Sequence, residues 1–161
     1  MLAEEVLQSS EDPRLVNELT RFNLEINLQP GEFGGKCLSD LEVQIGDAIE
    51  HARTLARQVG SEIVMTGILP TIHLSDLGLE SMAPRPRYFA LNNAIMRLKG
   101  GVGQFQIRGV DELFFRHDTI LVEGCNTSFQ IHFQVTPEEF PRFYNIAQAV
   151  AGPCLAMATN S

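Results

Sequence analysis

The stretch Thr127–Val135, "TSFQIHFQV", decides the fold, because its residues alternate without a break. Phe129, Ile131, Phe133 and Val135 form one row, and Ser128, Gln130, His132 and Gln134 form the other. A period of two predicts a strand with one apolar face. The polar row offers amides and an imidazole without fixed charge, as a wall facing a polar ligand would; a solvated face is the alternative. "FNLEINLQ", Phe22–Gln29, has the same design, with Phe22, Leu24, Ile26 and Leu28 opposite Asn23, Glu25 and Asn27. If the two strands pair, Glu25, Asn27, Gln130 and His132 share one floor. A sheet face would hold oxygen ligands for a hard cation rigidly.

Outward from these strands the order of elements mixes β and α without a regular βαβ alternation. The chain therefore reads as α+β: a mostly antiparallel sheet with helices packed on one face. Residues 1–20 read as a leader, helical around Leu15–Leu19, and 21–161 as the body, with no boundary inside it. The firmest helix is "LSDLEVQIGDAIEHARTLARQVG", where Leu38, Leu41, Ile45, Ile49, Ala52, Leu55 or Ala56, and Val59 recur at helical spacing. Ser39 with Glu42 fits a capping box, Leu38 with Val43 its hydrophobic staple, and Gly60 a stop. "EIVMTGILP" reads as a buried strand ended by Pro70, and "RYFALNNAIMRLKGG" as a short helix closed by glycines. Strands follow at Gln104–Arg108 and Thr119–Glu123, with turns at Gly109 and Gly124. Thr136 with Glu139 makes a second capping box, with Pro137 at the first helical position, opening a last helix that kinks or ends near Gly152-Pro153.

A formal charge of −8 disfavours non-specific nucleic-acid binding, which needs a basic surface. No apolar run approaches a membrane span. Cys37, Cys125 and Cys154 are odd in number and widely spaced, which is no disulfide framework and suits a reducing cytoplasm. The apolar C-terminal run stops at Ser161 without a polar tail, so the chain is expected to be cut from something longer.

Among candidate sites, "GEFGGKC" resembles a phosphate loop only loosely. Three residues, not four, separate Gly31 from the Gly35-Lys36 pair, and Cys37 replaces the magnesium-binding hydroxyl. His51, His73, His117 and His132 lie in unrelated positions and no Cys-x-x-Cys pair occurs, so zinc is not expected. "MAPRPRYFALNNAIMR" concentrates Arg85, Arg87 and Arg97 in an acidic chain, and guanidinium forks bind carboxylates and phosphates. Surface arginines at a solvated helix start are the alternative.

Together, "FNLEINLQ", "MAPRPRY", "CNTSFQIHFQV" and "FPRFYNIAQAVAGPCLAMATNS" resemble the glutamate–cysteine ligase superfamily, carboxylate–amine ligases with a glutamine synthetase-like catalytic fold. The resemblance runs from Arg21 to Ser161, about the first half of such a catalytic domain. It implies ATP and Mg2+ as cofactors, glutamate and an amine such as cysteine as substrates, and a role in glutathione biosynthesis. Glu25 would be a magnesium or nucleotide ligand, and Gln130 and His132 would line the nucleotide–metal floor. Arg87 and Tyr88 would contact substrate. Asn27 departs from the family, which often has glutamate there; an amide brings no negative charge. The implied reaction forms an acyl phosphate, and a half-domain would be inactive alone. A truncated sheet would also expose an edge and favour self-association into a homo-oligomer. The rival reading is a non-catalytic ligase-like domain that binds a small amino acid or a partner subunit.

Overall fold

The computed structural model describes residues 3–158, which form an α+β chain with antiparallel strand pairing. It divides into two compact units, Met1–Asn126 and Thr127–Ser161.

The first unit opens with helix α1, Ala3–Gln8, followed by strand β1, Leu15–Asn17. The helix expected at Leu15–Leu19 is thus a strand, paired antiparallel with β2, Leu24–Ile26, in the register Leu15↔Ile26, Val16↔Glu25, Asn17↔Leu24. β2 is the centre of the polar stretch "FNLEINLQ", cut to three residues. Helix α2 covers Cys37–Gln58 and ends before Gly60, whose φ of +71° suits the left-handed turn that closes a helix. It starts earlier than the Ser39 capping box requires: Lys36 is the N-cap, and its side chain makes no capping hydrogen bond. Leu38 and Val43, the expected staple, are exposed. Farther along the stripe Leu41, Ile45 and Ile49 are half-buried, and Ala52, Leu55 and Ala56 pack with Val6 and Leu15 from α1 and β1.

A turn fixes the approach to β1. The Asp12 carboxylate accepts from Arg14 Nη at 2.7 Å and from the Arg14 backbone N–H at 2.9 Å, and the Arg14 carbonyl accepts from Asn27 N–H at 2.8 Å. Hydrogen bonding from the Arg14 side chain lowers the Asp12 pKa to about 2 from the ordinary 3.8. A depressed folded-state pKa gives stability that is complete above the unfolded value and is lost as pH falls through the folded one. Asp12→Asn is therefore expected to remove that part of the acid-side loss between about pH 4 and pH 2, where the Asp12 pKa values lie. Urea midpoints measured across this window in both chains check it.

Two stretches depart from the pattern reading. "EIVMTGILP" forms no strand; Val64, Met65 and Ile68 are exposed, and Ile68 makes only an isolated bridge to Asn126. An apolar run becomes a buried strand only where neighbours supply a ladder. Helix α3, Pro86–Leu98, is the helix expected there, and it is closed by Gly100 and Gly101 at positive φ. Strand β3, Gly103–Arg108, pairs antiparallel with β4, Glu112–His117, and the strand expected at Thr119–Glu123 is absent. Residues Ile120–Cys125 form a 3-10 helix instead. Side chains hold its first turn: Asn92 Oδ1 accepts from Ile120 N–H at 3.0 Å, and Thr119 Oγ1 accepts from Leu121 N–H at 3.2 Å while donating to the Leu77 carbonyl at 3.0 Å. With those donors satisfied, the segment needs no strand partner. Leu121, Met82, Leu77, Leu19 and Tyr88 meet around it in the larger core. Cys37, Cys125 and Cys154 are free thiols.

In the second unit, residues 127–136 carry neither helix nor strand. The period of two survives in the side chains: Gln130 Nε2 donates to Ser128 Oγ, and His132 Nε2 meets Gln130 Oε1, each at 3.2 Å. The Thr136–Glu139 box forms in both directions, at 3.0 and 3.3 Å. Helix α4, Phe140–Met157, has Glu139 as its N-cap, so Pro137 lies in the turn before it and not at its first position, and the helix continues through Pro153 rather than ending there. Phe133, from the apolar row, lies 6.3 Å from Phe143 between ring centroids. The Asn-Ser end of the sequence, with Met1 and Leu2, falls outside the described residues.

Candidate functional site

The head of α3 and strand β1 border an open cleft of about 430 Å3 lined by Val16, Asn17, Arg85, Pro86 and Arg87. Local sequence explains the geometry. Pro86 occupies the first turn of α3, where its missing N–H costs nothing, and Arg85 is extended just before it. The two arginines thus flank the positive end of a helix dipole, a place that favours anions.

Asn17 is buried at 7 % exposure and uses its amide in both directions. Its Oδ1 accepts from Arg85 Nε at 2.6 Å and also from an Arg85 Nη, while its Nδ2 donates to Glu4 Oε1 at 2.6 Å. Its backbone carbonyl accepts from the Tyr88 hydroxyl at 2.9 Å. Tyr88, buried at 8 % exposure, accepts in turn from Arg87 Nη at 2.7 Å, and the Arg87 guanidinium lies 4.6 Å from its ring centroid. Hydrogen bonding to Tyr88 pushes the Arg87 pKa up, and the fields of Glu25 and Glu18 add to the rise. Arg85 approaches Glu4 at 3.9 Å, whereas Arg87 has no ion-pair partner among the described residues.

The expected residues divide between the two units. Arg87 and Tyr88 stand in the cleft. Glu25 lies across from Val16 in the β1–β2 ladder, and cross-strand partners share a face, so its carboxylate belongs to the same neighbourhood. Asn27 is exposed just past β2. Gln130 and His132 contact each other in the second unit. β2 pairs with β1 and residues 127–136 carry no ladder, so the strand pairing expected to set Glu25, Asn27, Gln130 and His132 on one floor is not among the described pairings. Arg97 sits in the last turn of α3, donating to the Asn93 carbonyl at 3.2 Å. Sequence reasoning misses Asn17 and Glu4 as site residues; the one signal is a polar Asn17 at an otherwise apolar strand position between Leu15 and Leu19.

The donor set bears on magnesium. Among the described residues no three His, Cys, Asp or Glu side chains cluster closely enough to hold a metal. Magnesium commonly binds one or two protein carboxylates and completes its shell with water and substrate phosphates. Glu25 fits one position in such a shared site, and the described residues do not fit an all-protein cage. No helix among them is long and apolar enough to cross a membrane.

The family model described as Glutamate-cysteine ligase family 2 matches residues 2–161. No curated protein and no solved structure matches the chain.

Proposed function

The chain belongs to glutamate-cysteine ligase family 2, a carboxylate–amine ligase family, and from that premise we propose that it serves ATP-dependent γ-glutamyl amide formation. The observation that carries this reading is Arg87, a guanidinium held on Tyr88 at the cleft and without an ion-pair partner among the described residues. In a chain of net charge −8, such a group suits an anionic substrate. Arg87 and Tyr88 would hold a glutamate carboxylate, with Arg85 beside them. Gln130 and His132, aligned and free of fixed charge, would hydrogen-bond the nucleotide. Glu25 would hold magnesium, which supplies neutralisation of phosphate charge, and Asn27 would add a neutral oxygen.

The reaction asks for positioning and charge stabilisation, not for a protein nucleophile. The γ-carboxylate oxygen of glutamate bonds to the γ-phosphorus of ATP as the bond to ADP breaks, and ADP leaves with the electron pair. The amine nitrogen then attacks the acyl carbon, phosphate departs, and the nitrogen loses a proton. Cytoplasmic glutathione biosynthesis, with cysteine as the amine, is the form of the reaction proposed.

A second reading, a binding module without catalysis, draws on Asn27 in place of a carboxylate and on the absence of a three-ligand cluster among the described residues. Phosphate release, measured on the longest natural polypeptide carrying this sequence, separates the two. Release that requires ATP, magnesium, glutamate and one member of an amine panel is expected. No release above background, together with no magnesium-dependent ATP binding, sinks the enzyme reading.

A further inference from the structure

We infer that Asn17 is a positioning residue that sets both guanidiniums of the cleft, one through its side chain and one through its backbone. The inference rests on the reading of the cleft as the site for a substrate carboxylate. Asparagine is rarely buried without reason, because each unpaired amide group costs desolvation energy. Here its acceptor takes two nitrogens of Arg85, which fixes the plane of that guanidinium and not merely its location. Its donor takes Glu4, so the carboxylate nearest Arg85 is engaged by Asn17 at 2.6 Å and stands 3.9 Å from the arginine. Asn17 thus lies between an acid and a base that would otherwise close on each other, leaving Arg85 less available to an incoming anion. The second arm runs from the Asn17 carbonyl through Tyr88 to Arg87. The β1–β2 ladder keeps the carbonyl in place, and the side chain carries the hydrogen bonds to Arg85.

The two arms make different demands on substitution. Asn17→Ala removes the side-chain arm and spares the carbonyl, so Arg85 collapses toward Glu4 while Arg87 stays. Asn17→Asp keeps an acceptor for Arg85 and sets two carboxylates against each other where the Glu4 hydrogen bond was. Combining Asn17→Asp with Glu4→Gln reverses that hydrogen bond, the introduced glutamine amide donating to the new carboxylate, and leaves net charge unchanged. A residue that matters only for stability would alter melting in each variant without altering affinity in any that still folds.

The test is L-glutamate titrated calorimetrically into the longest natural polypeptide carrying this sequence, wild type and variants, with thermal melts recorded in parallel. Asn17→Ala is expected to raise the glutamate Kd about tenfold, the loss of one oriented charged donor. Asn17→Asp is expected to raise it further, and the Asn17→Asp/Glu4→Gln pair to return it to within about threefold of wild type. Arg87→Ala is the control for the cleft itself. If Arg87→Ala weakens glutamate and Asn17→Ala does not, the positioning role is wrong and the cleft reading stands. If wild type binds no glutamate, or Arg87→Ala leaves Kd unchanged, the cleft reading fails and takes this inference with it. Failure of the double variant to recover affinity, when it melts like wild type, also overturns the inference.

Discussion

In the longest natural polypeptide carrying this sequence, Arg87→Ala is expected to lower kcat/KM for glutamate by about tenfold to hundredfold, because a charged hydrogen bond to a buried or half-buried carboxylate contributes about 1.5–3 kcal/mol. The loss should fall mainly on KM if Arg87 binds ground and transition states alike, and on kcat as well if its contact tightens as the carboxylate is activated. Stability separates this from a structural defect. Arg87 is exposed and its folded-state contacts are the Tyr88 hydroxyl and ring. An exposed cation–π contact is worth about 0.5–1 kcal/mol, so the melting temperature should drop by no more than about 4 °C. Arg87→Lys keeps the charge and loses the planar fork, and should fall between wild type and alanine. A full-activity Arg87→Ala chain would remove the site from the head of α3.

Why that site is only partly legible in the sequence follows from which interactions are local. The stripe that announces α2 and the Thr136–Glu139 box are read from residues within one or two turns, and both form. Arg87 and Tyr88 are likewise visible, since two arginines and a proline before a helical pattern stand out in an acidic chain. Asn17 is not visible, because its partners Arg85 and Glu4 lie 68 and 13 residues away in sequence. The same limit explains the strands. Alternation in "TSFQIHFQV" correctly sets Ser128, Gln130 and His132 along one side, but a ladder needs a second chain segment that periodicity cannot name. "EIVMTGILP" is apolar enough for a core strand, yet Val64 and Met65 stay exposed because no neighbour covers them. Thr119–Glu123 fails for a different reason: the Asn92 and Thr119 side chains capture the backbone donors that a strand would have given to its partner.

That last segment also carries the largest expected effect on stability, Leu121→Ala. Leu121 is 0 % exposed and packs with Leu19, Leu77, Met82 and Tyr88 in the core beneath α3. Cutting a buried leucine to alanine removes its transfer energy and leaves a cavity that neighbours only partly fill, at a cost of about 2–5 kcal/mol. For a chain of this size that lowers the melting temperature by roughly 5–15 °C. Leu98→Ala, at a leucine that is 87 % exposed, should change stability by less than about 0.5 kcal/mol and serves as the comparison. Calorimetric melts of the two variants measure both. A Leu121→Ala drop no larger than that of Leu98→Ala would mean the Ile120–Cys125 helix does not close this core. The pairing with Arg87→Ala is informative because Tyr88 belongs to both systems, its ring to the core and its hydroxyl to the cleft. Well below its melting point the Leu121→Ala chain should keep most of its glutamate affinity, since the hydroxyl is tied to the Asn17 carbonyl rather than to the space Leu121 vacates. Affinity that fell in step with stability would instead make the core itself part of what orients Arg87.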